Sequence, residues 1–166
     1  MKIIVFSDSH GNTANMINAI RSENPDMLIH CGDGALDLRT VRNSFPELDI
    51  RNVCGNCDRN DASPLTERFT VEGKRFFVVH GHEHRAKRGG ISHELTVAAL
   101  ESSADFVLNG HTHMPVTEEG FGFMFMNSGT CRTCADPTYG VITMDSGSVE
   151  MDIIHLGSPK NRLSVR

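Results

Sequence analysis

Five short polar segments carry the residue types with which this chain could do chemistry. They are Asp8-Ser9-His10, Gly32-Asp33, Gly55-Asn56-Cys57-Asp58, His80-Gly81-His82 and Gly110-His111-Thr112-His113. Their carboxylates, imidazoles and carboxamide form a hard and borderline ligand set that suits Mn²⁺, Fe²⁺, Ni²⁺ or Zn²⁺ at an open, reactive site. The segments therefore predict a dinuclear metal centre that catalyses hydrolysis.

Each segment follows a stretch that is typical of a β-strand, so the polar residues fall on loops. We expect these strands at residues 3–7, 27–31, 49–54, 75–79 and 106–108. In α/β proteins the loops after such strands leave the same edge of the sheet, which is where ligands bind. The spacing therefore predicts that the five segments converge.

The elements that must position these loops change in character along the chain. Helices are expected after a cap at Asn12 or Thr13, at residues 36–43 and at residues 92–102, so the first part alternates strand and helix as a parallel sheet does. Glu72-Gly73-Lys74 indicates a hairpin. Short strands at 121–126, 139–144 and 149–154 then predict antiparallel sheet. The expected fold class is α/β, with two stacked mixed β-sheets flanked by helices in an α/β/β/α sandwich.

Length and composition place this site in one domain. The 166 residues suit a single core, so we expect one domain over residues 1–166 with a loosely held tail from about residue 157. The N-terminus enters a strand without a charged and apolar leader, and no run of 18 apolar residues occurs, which favours a cytoplasmic protein with no membrane segment. Five cysteines, an odd number, favour reduced thiols over disulfides.

The charge gives no strong signal for nucleic-acid binding. The formal net charge is −5, and the local basic cluster of Arg85, Lys87 and Arg88 is interpreted as a solvated loop. The charge therefore does not predict a nucleic-acid partner.

The order D-x-H, GD, GN-x-D, a His-Gly step and GHTH resembles that of the calcineurin-like metallophosphoesterases. The chain length and the cysteine after Asn56 are similar to their small YfcE-type phosphodiesterase subgroup, and the resemblance covers residue 1 to about residue 152. It implies the same sandwich fold, a small phosphodiester or nucleotide-like substrate, and a homodimer or higher homo-oligomer.

The resemblance also implies a ligand set for two divalent ions. Asp33 would bridge both ions, with the first ion held also by Asp8, His10 and His113, and the second by Asn56, His80 and His111. Mn²⁺ is the expected metal, with Ni²⁺, Fe²⁺, Zn²⁺ or Mg²⁺ as alternatives. The implied reaction is phosphodiester hydrolysis by in-line attack of a metal-bridging hydroxide, and the alternative reaction at the same site is phosphomonoester hydrolysis.

The chain departs from the wider family at Cys57, where a histidine partnered by the following acid commonly protonates the leaving group. A thiol, with a pKa near 8.5, suits that task less well. We therefore expect a preference for substrates with good leaving groups, such as aryl phosphodiesters, with His82 as the best substitute proton donor. The predicted catalytic residues are Asn56, Cys57, Asp58 and His82.

Two rival functions remain open from the sequence. Cys54-x₂-Cys57 and Cys131-x₂-Cys134 have the spacing of two zinc half-sites and would make a structural Cys₄ site. A non-catalytic metal-binding scaffold is the second rival, as in the retromer subunit that resembles these enzymes. Arg132 could contact a substrate phosphate or could be solvated.

Overall fold

The computed structural model describes residues 1–86, 90–157 and, for the backbone only, 162–165. Within this part of the chain the helices are α1 (Thr13–Glu23), α2 (Ala35–Ser44) and α3 (His93–Glu101), with a 3₁₀ turn at His82–His84. The strands are β1 (Lys2–Phe6), β2 (Met27–His30), β3 (Asp49–Asn52), β4 (Thr66–Val71), β5 (Lys74–Val79), β6 (Phe106–Asn109), β7 (Val116–Gly120), β8 (Phe123–Asn127), β9 (Thr138–Asp145), β10 (Ser148–His155) and β11 (Arg162–Val165).

The strands form two mixed sheets. The first has the order β11-β10-β9-β1-β2-β3, in which β1, β2 and β3 are parallel and β9 runs antiparallel to β1. The second has the order β4-β5-β6-β8-β7, with β5, β6 and β8 parallel and a hairpin at each edge. Parallel neighbours need crossover connections, and α1 and α2 supply those of the first sheet.

Three apolar clusters define the layers. Ile3 and Val5 of β1 pack with Phe76 and Val78 of β5, so one cluster lies between the two sheets. The opposite face of the first sheet packs on α1 and α2, and that of the second sheet packs on α3. This arrangement is the predicted α/β/β/α sandwich.

Helix starts follow from local polar contacts. The Asn12 side chain accepts a hydrogen bond from Asn15 N, which confirms one of the two caps expected for α1, and Ser92 caps α3 in the same way. No side chain of α2 caps its own start; Asp58, from the loop after β3, accepts from Ala35 N at 2.9 Å. The start of α2 is thereby tied to a loop that carries candidate site residues.

The prediction for the C-terminal third was partly wrong. The strand β7 was not predicted, and β8 pairs parallel with β6, although antiparallel sheet was expected throughout this region. The strand β8 begins at Phe123 and not at the predicted residue 121, because Phe121 and Gly122 have positive φ angles and form the turn of a β7–β8 hairpin. Strand alternation alone does not reveal which neighbour a strand pairs with.

The predicted tail falls partly on residues 158–161 and 166, which lie outside the described residues. Within the description, β11 pairs antiparallel with β10. None of the described helices is both long and apolar enough to span a bilayer.

Candidate metal centre

The loops after β1, β2, β3, β5 and β6 bring their polar residues together. Three close groups result, Asp8 with His10 and His113, Asp8 with Asp33 and His80, and His10 with Asp33 and Cys57; in each group the potential ligand atoms lie within 4.8 Å of one another. These loops leave both sheets, so the centre lies at one end of the sandwich. Each of the five predicted segments contributes at least one residue to these groups.

Each of the two carboxylates has one oxygen fixed by donors and one directed at imidazoles. Asp8 Oδ2 accepts from Ser7 Oγ at 2.5 Å and from His111 N at 2.9 Å, whereas the buried Asp8 Oδ1 has no hydrogen-bond partner. Asp33 Oδ1 accepts from Cys57 N at 2.7 Å. The remaining oxygens are therefore available to a cation.

The imidazole nitrogens surround these remaining oxygens. Asp8 Oδ1 lies 3.0 Å from His113 Nε2 and 3.8 Å from His10 Nε2. Asp33 Oδ2 lies 3.8 Å from His10 Nε2 and 3.5 Å from His80 Nε2. Asp33 thus has histidines on both sides, which is the position that a bridging carboxylate needs.

His80 is held in the orientation that a ligand requires. Its Nδ1 lies 2.7 Å from the carbonyl oxygen of Cys31 and donates to it, so that in the neutral imidazole Nε2 carries no proton and can coordinate a metal. That Nε2 lies 3.1 Å from Asn56 Oδ1, so the carboxamide joins this side of the centre. The carbonyl of Cys31 is a contribution that side-chain motifs could not reveal.

The backbone of the site is strained and tightly packed. Five of the seven predicted ligands are non-glycine residues with positive φ angles, namely Asp8, His10, Asp33, His111 and His113, and such strain concentrates at functional sites. A Cβ at Gly55 would overlap Asp33, and one at Gly110 would overlap Ser7 Oγ and Asp8 Oδ2. The glycines of the motifs therefore let neighbouring backbone approach the carboxylates.

The pKa directions follow from these contacts. Burial raises the pKa of both Asp8 and Asp33, but histidine and hydrogen-bond contacts outweigh it, so both pKa values are below the ordinary range. Burial lowers the pKa of His80, yet Asp33 and Asp8 raise it overall. The pKa of His111 is lowered by burial and by the charge of His80. The carboxylates are therefore ionised, as metal ligands must be.

Asp58 has a different environment from the one expected of a proton-transfer partner. Its Oδ2 accepts from Asp33 N at 2.7 Å and Gly55 N at 2.9 Å, and its Oδ1 accepts from Ala35 N. Three backbone donors thus occupy the carboxylate, which ties the loop after β3 to the loop after β2. Asp58 holds the positions of the neighbouring candidate ligands.

The other predicted residues lie around this centre. Cys57 is exposed and shares a close group with His10 and Asp33, and its hydrogen bond to Asp33 raises the pKa of the thiol to about 11. The ring centroid of His80 is 5.1 Å from that of His111 and 5.4 Å from that of His82.

The structural Cys₄ site is not assembled. Among the close groups of potential ligands in the described part of the chain, none contains two cysteines, and Cys131 is fully buried. Arg132 lines two clefts beside His10 and His113. Arg85 forms an ion pair with Glu94, and the rest of the predicted basic cluster, Lys87 and Arg88, lies outside the described residues.

Comparison with known proteins identifies the class to which this site belongs. The family described as the calcineurin-like phosphoesterase superfamily domain matches residues 1–147. The chain therefore belongs to the calcineurin-like phosphoesterase superfamily.

Two curated relatives cover most of the chain. A probable metallophosphoesterase of Methanothermobacter thermautotrophicus is 27% identical, over 96% of this chain and 95% of the relative. A phosphodiesterase of Methanocaldococcus jannaschii is 29% identical, over 86% of this chain and 92% of the relative.

Solved structures share the fold. The phosphoesterase Yfce from E. coli superposes with a TM-score of 0.73 at 20% identity and covers 99% of this chain and 98% of its own. Vps29 from Entamoeba histolytica, complexed with Zn²⁺, superposes with a TM-score of 0.80 at 17% identity, with the same two coverages of 99% and 98%. Both likenesses concern the fold alone.

Proposed function

We propose that the protein is a dinuclear metal-dependent phosphodiesterase. The single observation that carries this proposal is the fully buried Asp8 Oδ1, which makes no hydrogen bond of standard geometry and faces the Nε2 atoms of His113 at 3.0 Å and His10 at 3.8 Å. A buried carboxylate oxygen that accepts no well-formed hydrogen bond is costly. A cation between these groups would satisfy it, so the residues present fit a metal.

The proposed ligands divide into two sets that share Asp33. Asp8, His10 and His113 would hold one divalent ion with Asp33, and Asn56, His80 and His111 would hold the other. Asp33 Oδ2 supports the shared role, because it lies within 3.8 Å of a histidine Nε2 from each set. The oxygen and nitrogen donors suit Mn²⁺, with Ni²⁺, Fe²⁺, Zn²⁺ or Mg²⁺ as alternatives.

When bound, the ions would activate a water and stabilise the charge that develops on the phosphoryl oxygens. In the overall reaction the water oxygen forms a new bond to phosphorus, the bond to the leaving oxygen breaks, and the leaving group takes up a proton. Two divalent ions carry more positive charge than Asp8 and Asp33 neutralise, so the centre would attract an anionic ester.

Protonation of the leaving group would be the weak step of this enzyme. Cys57 stands where a proton donor is expected, and a thiol with a pKa of about 11 is a reluctant acid at neutral pH. His82 is the proposed substitute, since its ring lies 6.1 Å from that of His111 and its buried Nδ1 has no hydrogen-bond partner. Diesters with good leaving groups are therefore the proposed substrates.

The diester preference has one further support. The relative from Methanocaldococcus jannaschii is named a phosphodiesterase, and this chain covers most of its length. A cytoplasmic location and a homodimer or higher oligomer remain predictions of the sequence.

The test is metal reconstitution. Metal-free protein is assayed with Mn²⁺, Ni²⁺, Zn²⁺ or Mg²⁺ on bis(4-nitrophenyl) phosphate and on 4-nitrophenyl phosphate. We expect metal-dependent release of nitrophenol from the diester above all, lost in Asp33→Asn. Asp49→Asn is the matched control, because Asp49 lies on the surface with Arg51 at 3.8 Å. If the monoester is cleaved faster than the diester, the protein is a phosphomonoesterase. If the protein binds two ions but cleaves neither substrate, it is a non-catalytic metal-binding scaffold.

A further inference from the structure

Among the residues that the structure describes, three clefts adjoin the candidate metal centre. One, of about 480 Å³, is lined by His10, Asp33 and Cys57 together with residues of α2 and of the loop after β3. A second, of about 410 Å³, shares His10 with the first, and a third, of about 520 Å³, includes His111 and His113. Arg132 lines both the second and the third. A diester bound at the centre would therefore have room for a substituent in more than one direction.

The first cleft, here called the Leu36 cleft, has an apolar wall. Leu36 is 72% exposed, the highest value among the large hydrophobic side chains in the described residues, and it lies beside Ala35 at the start of α2. A single exposed leucine is ordinary. This one, however, lines the same cleft as Asp33 and Cys57, so an apolar group of a bound ester could cover it.

Arginines complete the lining of the Leu36 cleft. Arg39 follows Leu36 by three positions on α2, which places both on one helix face, and Arg59 lines the cleft from the loop after β3. The pKa of Asp61 is lowered mainly by a hydrogen bond from Ser63, and the nearby charge of Arg39 lowers it further. Both arginines are exposed and able to donate hydrogen bonds.

All four carboxylates that the described residues contribute to the lining of this cleft accept hydrogen bonds from the protein, including Asp33 from Cys57 N and Asp61 from Ser63 N. Asp37 Oδ2 accepts from Ser9 Oγ at 2.5 Å and Gly11 N at 2.8 Å, and Asp58 accepts from three backbone donors. The cleft therefore offers an apolar surface and cationic donors beside the metal centre. That combination matches a flat ring system with hydrogen-bond acceptors at its edge.

We propose that the Leu36 cleft binds a nucleoside arm of the phosphodiester, with the ring against Leu36 and its acceptor groups, or those of the sugar, near Arg39 and Arg59. The volume is within the range of pockets that hold ligands of this size. This inference rests on the proposed function, and it names the substrate class for the same site.

The test compares two diesters with the same leaving group. Thymidine 5′-(4-nitrophenyl phosphate) and methyl 4-nitrophenyl phosphate differ only in the second arm, so the ratio of their kcat/KM values measures recognition of the nucleoside. We expect wild-type protein with Mn²⁺ to favour the nucleoside ester, and Leu36→Ala to lower the ratio about tenfold, mainly through KM. Arg39→Gln, which leaves the apolar wall intact, should lower the ratio as well.

The matched control is Leu100→Ala, since Leu100 is a 53% exposed leucine on α3 that does not line the cleft. Both kcat/KM values should be unchanged there. The inference is overturned if Leu36→Ala and Arg39→Gln leave the ratio of the two kcat/KM values unchanged, or if Arg132→Gln lowers it instead. Either result would leave the proposed phosphodiesterase function unaffected. Hydrolysis of neither diester by wild-type protein with metal overturns the proposed function and the inference together.

Discussion

Asp58 offers the sharpest test of how the loops are held. Its carboxylate accepts from three backbone N–H groups, on Asp33, Ala35 and Gly55, and so joins the loop after β2 to the loop after β3. In Asp58→Asn one oxygen becomes an NH₂ group that cannot accept a hydrogen bond. At least one charge-assisted bond is then lost, and such bonds contribute about 1.5–3 kcal/mol. We expect the free energy of unfolding to fall by about 2 kcal/mol.

The assay is thermal and urea unfolding of the metal-free protein, with metal affinity measured by calorimetry. A loss of this size lowers the Tm of a domain of this length by about 4–8 °C. Metal affinity should fall too, because Asp33 and Asn56 lie on the two loops that Asp58 joins. Asp61→Asn is the control in the same loop, since Asp61 accepts from one backbone N–H, that of Ser63. Equal losses in the two variants, or a lower kcat with unchanged stability and metal affinity, would refute this role.

Three further outcomes are expected. Gly110→Ala should abolish tight metal binding in calorimetry, because the added Cβ overlaps Ser7 Oγ and also Asp8 Oδ2, whereas Gly120→Ala, with open space at its Cβ, should bind metal normally. Burial lowers the pKa of His30 to about 4, although nearby carboxylates raise it. Between pH 6.5 and pH 4 the unfolded chain therefore binds more protons than the folded chain, and the free energy of unfolding of the metal-free protein should fall by about 3 kcal/mol as the pH is lowered through that range. Urea titrations should show a smaller decrease between pH 7 and pH 5 for His30→Gln than for the wild-type protein. Cys57→His should raise the rate on alkyl diesters relative to aryl diesters, and an unchanged ratio would argue against Cys57 as the cause of slow leaving-group protonation.

The fold was predictable where local patterns decide it. The apolar strands before Asp8 and Asp33 and the cap at Asn12 could be predicted, because each depends on only a few neighbouring residues. The pairing of β8 with β6 could not be predicted, because it depends on which buried strand lies beside β8 in three dimensions. The turn at Phe121 was missed for a related reason, since an aromatic residue at positive φ contradicts its own propensity.

The site was predictable as a set of residue types and not as a set of contacts. The motifs name Asp8, Asp33 and the histidines, but not the Cys31 carbonyl that orients His80, because any residue supplies a carbonyl. Asp58 was expected to act in proton transfer, and its three backbone donors became visible only once the loops were placed. Motif spacing identifies which side chains converge, whereas their roles follow from what each atom already contacts.

The most direct measurement is the number of ions that the protein binds. Calorimetric titration of metal-free protein with Mn²⁺ should give two ions per chain, and His113→Ala should lose or weaken only one of them. Asp33→Asn should weaken both, because Asp33 Oδ2 lies between His10 and His80. A single ion in the wild-type protein, or an Asp33→Asn variant in which only one ion is affected, would contradict a shared, dinuclear centre.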